Sequence, residues 1–458
     1  MAHKAGSRFR AFLPSQILVG SFAGAIIVGA AFLYLPASAV MGHTDFIDCL
    51  FTATSATCVT GLTVLGTGSH FTVFGRTVIL TLIQLGGLGI MTGGAFMVML
   101  FGGSLSLRER AIIKDTLNPV RPRRLGLIVV YAVIFTVFTE AVGAAILYGA
   151  FKPIVGRQKA YGTAVFHSIS AFCNAGFSTF DTNLERLGSF PAITMTIMTL
   201  LIVGGLGFFV MLDLVSGLKK RLTGHHLKEA PMFTLHTRIV LSASGCLLLL
   251  GTSVLFALER NHVCADMSAA RSLSTSLFLS ATARTAGFST VPIGELSDAS
   301  LFLLILLMFI GASPGSTGGG IKTATLVLIG LFVGARIKGR SEVNVWGRRI
   351  PEQVINKSLA VTSLAVLALS LSLLALLVLE RGSPASPSFM DLVFEATSAF
   401  GTVGLSTGIT PSLTTGGKLV IILLMFVGRL GPLTVATLVA TRARSVKYSF
   451  PEETVMVG

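Results

Sequence analysis

Four stretches of this chain read alike: SATCVTGLTV (Ser55–Val64), SAFCNAGFST (Ser170–Thr179), ATARTAGFST (Ala281–Thr290) and SAFGTVGLST (Ser398–Thr407). Aligned on Gly61, Gly176, Gly287 and Gly404, each has a run of small residues, a variable trio, the glycine, an apolar residue and then Ser or Thr. Internal repeats outrank local readings when a fold is assigned. The rest of the chain is therefore read as what carries these four stretches.

The 458 residues are 52% hydrophobic and only 12% charged, against roughly 25% charged in soluble domains. Long uncharged runs of this kind need a lipid solvent. The net charge of +15 raises nucleic acid as a partner. The basic residues, however, sit in short clusters between apolar runs, as on the cytoplasmic side of a membrane protein, and nucleic-acid binding is set aside. Five scattered cysteines offer neither a disulfide framework nor metal-ligand spacing, and read as packing residues. Met1–Arg10 is basic and leads into Gln16–Leu35, which is longer than a signal-peptide core and has no convincing cleavage site, so it reads as the first membrane helix.

Uncharged runs give further spans at Thr77–Leu107, Leu187–Leu212, Ile239–Leu258 and Ser358–Leu379. Leu125–Phe151 is interrupted by Glu140, Ala299–Ala335 by Lys322, and Leu419–Thr441 contains Arg429. The eight spans fall into pairs. Between the members of each pair lies a half-length apolar segment, Phe46–Ala56, Gly162–Phe172, Leu273–Thr282 or Leu392–Phe400, followed by one of the four motifs. Segments this short cannot cross about 30 Å of hydrocarbon and read as re-entrant helices. The expected units are residues 1–110, 111–225, 226–350 (with an intramembrane loop at 311–323) and 351–458. Charge supports this topology. If the half-helices re-enter, all linkers between units lie on one side with both termini, and these segments hold 23 of the 35 basic residues, among them Arg108, Arg121, Lys219, Lys228, Arg336 and Arg442. That places N- and C-termini in the cytoplasm.

A re-entrant helix ending mid-membrane aims roughly half a negative charge at its C-terminal end, so four of them favour a cation. Glycines permit backbone geometry that lets carbonyl oxygens replace the ion's water shell. Only Arg284 is charged within the motifs; its carbonyl can line a filter while its guanidinium points away, with Glu140, Glu395 and Asp391 as candidate partners. Glycine motifs also serve tight helix packing, but four copies at matching places favour a filter.

The span–loop–span plan and motifs such as CVTGL and RTAGFST resemble the Trk/Ktr/HKT superfamily of K⁺ transporters over essentially the whole chain. With eight spans and no extra N-terminal pair, the likeness is nearest to its KtrB-type membrane subunits. The resemblance implies an all-α polytopic membrane protein of four parallel M1–P-loop–M2 repeats around a pseudo-four-fold central pore. It implies a filter lined mainly by backbone carbonyls of Cys58, Val59, Thr60, Gly61; Cys173, Asn174, Ala175, Gly176; Arg284, Thr285, Ala286, Gly287; and Gly401, Thr402, Val403, Gly404. Glycine at all four filter positions goes with K⁺; a serine at the first goes with Na⁺ in some relatives. K⁺ is the expected substrate ion, with Na⁺ as co-ion or activator.

The run Gly311, Ala312, Ser313, Pro314, Gly315, Ser316, Thr317, Gly318, Gly319, Gly320, Ile321, Lys322, Thr323 interrupts the sixth span, and a helix cannot pass through it unbroken. Gly315 to Gly320 imitates a phosphate loop, but Ile321 separates the last glycine from Lys322 and no strand precedes it. The resemblance implies an intramembrane gating loop here, and a pore-facing arginine at Arg429. A buried membrane cation is costly and usually functional. Glu140 reads as a member of a structural ion pair.

The resemblance further implies a homodimer in the bacterial inner membrane, seated on a KtrA-type cytosolic ring that binds ATP or ADP; this chain carries no nucleotide-binding fingerprint of its own. The competing reading is a Na⁺- or H⁺-coupled secondary transporter of another cation or small solute, although that class usually shows inverted repeats. An intramembrane enzyme is disfavoured, because His167 stands alone on its half-helix and no HExxH occurs.

Overall fold

The computed structural model describes residues 14–101, 125–222, 232–383 and 386–439. The basic residues expected at 108–124, and Lys4, Lys228, Arg442, Arg444 and Lys447, lie outside them, as do both termini.

The chain is helical. In order come α1 (Pro14–Tyr34), α2 (Phe46–Thr57), α3 (Val73–Phe101), α4 (Leu125–Val155), α5 (Arg157–Phe172), α6 (Pro191–Leu206), α7 (Phe208–Leu222) and α8 (Leu235–Glu259). They are followed by α9 (Ala269–Thr282), α10 (Asp298–Phe309), α11 (Thr323–Ile337), a two-stranded hairpin β1 (Asn344–Val345) and β2 (Arg348–Arg349), α12 (Glu352–Leu379), α13 (Phe389–Gly401), α14 (Thr415–Leu430) and α15 (Pro432–Val439).

Among the described residues, four helices are long and apolar enough to cross a membrane: Gln16–Tyr34, Val130–Val155, Leu235–Glu259 and Glu352–Leu379. They open the four segments read from the sequence. The half-helices α2, α5, α9 and α13 have 12, 16, 14 and 13 residues, so at 1.5 Å per residue each falls short of the hydrocarbon thickness. Large apolar side chains lie on the outside as well as in the core. Leu367, Leu371, Leu374 and Val378 of α12 face outward, while Thr54, Ser55, Ser170, Thr282 and Ser398 are buried. Apolar outside and hydroxyls within is the arrangement a lipid solvent selects.

Half-helices α2, α5 and α13 pack between the two longer elements of their own segments, and α9 packs on α8. Each half-helix also meets the second helix of the segment before it: α3 touches α5, α6 touches α9, α10 touches α13, and α14 returns to touch α2. The last contact closes the sequence of contacts on itself. At the rim, Glu259 and Glu380 end α8 and α12 by holding the N-caps of α10 and α14: Glu259 takes the hydroxyl of Ser297 (2.6 Å) and Glu380 that of Thr414 (2.7 Å).

The second helices depart from the sequence reading. Leu187–Leu212, expected as one span, is broken at Gly207, with α6 and α7 meeting at 97°. Leu419–Thr441 is likewise broken, at Gly431. Both glycines are in the left-handed region (φ 89° and 86°), which no helix interior accepts, and Pro432 adds a missing N–H after the second. The break expected in the sixth span is present: α10 stops at Phe309, α11 starts at Thr323, and Ile310 and Ile321 meet as a parallel bridge across the base of the loop.

Candidate functional site

Helices α2, α5 and α13 end in one manner. The amide of Val59 bonds back to Ala56 and that of Thr60 to Ser55; Asn174 and Ala175 repeat this with Ala171 and Ser170, and Thr402 and Val403 with Ala399 and Ser398. This is the Schellman cap, which needs a left-handed residue at its turn. Three of the four left-handed residues are β-branched: Val59 (φ 56°), Thr285 (75°) and Thr402 (50°), with Asn174 (60°) the exception. Each such residue costs about 1–2 kcal/mol, and strain of this kind concentrates at functional sites. The third loop differs. Ala281 stands where the others have serine, and Ala286 bonds to Thr282 instead. In the first and fourth loops that serine hydroxyl also takes the motif glycine's amide, Gly61 from Ser55 and Gly404 from Ser398, both at 3.1 Å.

Two residues on, the chain is left-handed again at Gly61 (φ 98°), Gly176 (68°), Gly287 (73°) and Gly404 (91°). These glycines meet. A Cβ on Gly61 would lie 2.9 Å from the Gly176 Cα, one on Gly176 2.9 Å from Gly287, one on Gly287 3.1 Å from Gly404, and one on Gly404 2.9 Å from Gly61. Each also points at the carbonyl preceding the next glycine, namely those of Ala175, Ala286, Val403 and Thr60. The four motifs thus come together in chain order and close. All four glycines line one open cavity of about 200 Å³.

On the other side lies the loop between α10 and α11. Its backbone is pinned to three of the motif loops and their helices. Ser313 and Thr317 donate to Gly205 and Gly204 of α6 (3.2 and 3.4 Å), and Gly319 donates to the Thr402 hydroxyl (3.0 Å). A Cβ on Gly318 would strike the Thr285 side chain, and one on Gly320 would come within 3.3 Å of the Gly401 Cα. The break at Gly207 has its cause here: Phe208 gives its amide to Gly315 (3.1 Å), and the carbonyl of Pro314 sits where a Cβ on Gly207 would be.

Two cations hold successive carbonyls of this loop. Arg429, buried at 4% exposure, donates to Thr317 and, at 2.7 Å, to Gly86 of α3. The Lys322 ammonium donates to Gly318 at 2.6 Å. A guanidinium's fixed fork of donors suits two carbonyls on different elements.

Other charges correct the sequence reading. Arg284 turns away from its loop, but its partner is none of the three carboxylates: it donates to the Ser244 carbonyl of α8 at 2.9 Å. Glu140 makes no ion pair among the described residues; it accepts from Gln84 (3.1 Å) and lies 3.8 Å from the Cys173 thiol. His167 is buried and hydrogen-bonded to Ser178 (3.0 Å), the motif serine two places after Gly176. Glu395 stands at the same place before Gly404 and accepts from the corresponding Ser406, and from Thr410 at 3.0 Å.

Sequence reasoning missed a second set of glycines. A Cβ on Gly86, Gly204 or Gly428 would overlap the carbonyl of Thr57, Phe172 or Phe400, at the closing turn of the half-helix beside it. The signal was legible, because Gly86–Gly89 and Gly204–Gly207 both read Gly-Gly-Leu-Gly and Gly428–Gly431 reads Gly-Arg-Leu-Gly.

Short helices ending at converging left-handed glycine loops, inside an outward-apolar helical bundle, define an integral membrane protein of the cation-translocating kind. The chain belongs to the TrkH family of cation transport proteins, whose family model matches residues 11–449. It is 38% identical to the Ktr system potassium uptake protein B of Bacillus subtilis, over 98% of this chain and 97% of that one. It is 37% identical to the protein of the same name from Vibrio alginolyticus (97% and 94% covered) and to the potassium/sodium uptake protein NtpJ of Enterococcus hirae (97% of each). The crystal structure of the potassium transporter TrkH from Vibrio parahaemolyticus shares the fold, with a TM-score of 0.71 at 20% identity, covering 94% of this chain and 86% of that one.

Proposed function

We propose that this chain is the ion-translocating subunit of a K⁺ uptake system, with the four motif loops as its filter and residues 311–323 as its gate. The observation that carries the reading is the closed approach of Gly61, Gly176, Gly287 and Gly404 at the open cavity. The four half-helices end there, and each C-terminus contributes about half a negative charge. A left-handed residue, an intervening one of negative φ and a left-handed glycine alternate the sense of the backbone, and on this reading successive carbonyls face the pore. Carbonyl dipoles so arranged replace the hydration shell of a dehydrated monovalent cation. On this reading the four segments are repeats about one pore, and the ion passes from the cavity through the glycine ring.

Beneath the ring, the 311–323 loop fills the path, and Arg429 and Lys322 add positive charge there. A cation can pass only when the loop withdraws. The Ktr-system relatives' names imply a multi-component system, and the reading follows them: a homodimer in the bacterial inner membrane, termini in the cytoplasm, controlled by a KtrA-type nucleotide-binding ring. Na⁺ is a co-ion or activator, in keeping with the potassium/sodium uptake relative.

The test is growth of a bacterial strain lacking K⁺ uptake on limiting K⁺. The chain co-expressed with a KtrA-type partner is expected to restore growth and the Gly287→Asp variant is not. Restoration by both would remove the filter assignment.

A further inference from the structure

The cavity above the four glycines is nearly uncharged. Its lining is mostly glycine, Ser/Thr and apolar side chains, and Asp181 is the one charged residue among them. Glu185 and Glu295, on adjoining loops, do not line it. Asp181 is solvent-exposed and four residues beyond the second motif's last apolar position, Phe177. Its Oδ1 accepts from Ser69 Oγ at 2.9 Å, a residue of the loop that leaves the first motif. Gly66 gives it room, since a Cβ there would lie 2.5 Å from that oxygen.

We propose that Asp181 is the entry carboxylate of the transport path. It raises the local concentration of monovalent cation in the cavity and thereby sets the external concentration at which transport half-saturates. This rests on the reading of the four loops as a K⁺ filter with the cavity as its outer mouth. The physical ground is that a cleft with low-dielectric walls focuses the field of a single charge onto whatever enters it. The same field collapses when added salt shortens the screening length to about 8 Å or less.

A structural role is the rival, because Asp181 also ties two loops together through Ser69. The experiment separates them. Purified full-length protein, reconstituted in liposomes with a KtrA-type partner, is assayed for ⁸⁶Rb⁺ uptake at low ionic strength and again with added N-methyl-D-glucamine chloride. D181N is expected to raise the half-saturating concentration about three- to ten-fold at low ionic strength and less than about two-fold at high. D181E is expected to restore it. S69A, which removes the tether and keeps the charge, is expected to stay within about two-fold of wild type in both conditions. The proposal is overturned if D181N leaves half-saturation unchanged, if its defect persists at high ionic strength, or if S69A reproduces it. Absence of Rb⁺ uptake by the wild-type protein would instead overturn the K⁺ reading, and this inference with it.

Discussion

Arg429 is bonded to the carbonyl of Thr317, and through that contact the last long helix grips the loop that lies under the motif glycines. Its other terminal nitrogen holds Gly86 of α3, so the guanidinium staples the loop to the first segment. Charge-assisted hydrogen bonds of this kind contribute about 1.5–3 kcal/mol each. Replacing Arg429 with Gln should therefore favour withdrawal of the loop by roughly tenfold or more, seen as raised ion flux in liposomes. Reduced flux in a protein that still elutes as a single folded species would count against the gate.

Thr402 gives a second handle on the same loop. Its hydroxyl takes the Gly319 amide at 3.0 Å. Thr402→Val keeps the side-chain shape and loses the acceptor, leaving a buried N–H unpaired at a cost of about 1–3 kcal/mol to the closed state. Flux should rise several-fold. Because Arg429 and Thr402 hold neighbouring residues of one loop, the double variant should be less than additive.

The packing glycines should report on stability. Gly204→Ala and Gly428→Ala each drive a Cβ into a backbone carbonyl, and overpacking of this kind costs about 1–3 kcal/mol. Gly149 in α4 has nothing within 4 Å of its Cβ position, so Gly149→Ala should be neutral or slightly stabilising. Thermal melting in detergent would rank them; equal melting of all three would contradict the packing account.

Glu395 buttresses the fourth loop through Ser406 and Thr410. Glu395→Ala should strand both hydroxyls and loosen K⁺ over Na⁺ discrimination, while Glu395→Gln, which keeps an acceptor, should lose much less. Paired flux measurements with the two ions would decide it.

Much of this was legible because it is local. The half-helix ends follow from where small residues meet a glycine, and Thr57, Phe172, Thr282 and Gly401 close them within a residue of expectation. The broken second helices were not legible. Gly-Gly-Leu-Gly occurs at Gly86–Gly89, where α3 runs on, and at Gly204–Gly207, where the chain turns by 97°. The difference is made by Pro314 and Gly315, more than a hundred residues away, which occupy the space beside Gly207 and take the Phe208 amide. The partners of Arg284 and Glu140 escaped for the same reason. Both are hydrogen-bonded to neutral groups, Ser244 and Gln84, brought near only by folding. Charge pairing was the wrong rule for them.

That the four glycines form one filter for K⁺ is tested most directly by flux of K⁺, Rb⁺ and Na⁺ through the protein reconstituted in liposomes with a KtrA-type partner, wild type beside Gly287→Asp. The wild type is expected to conduct K⁺ and Rb⁺ in preference to Na⁺, and the variant to lose that preference or the flux itself. No alkali-cation flux through the wild type, or the same K⁺ selectivity in both proteins, would contradict it.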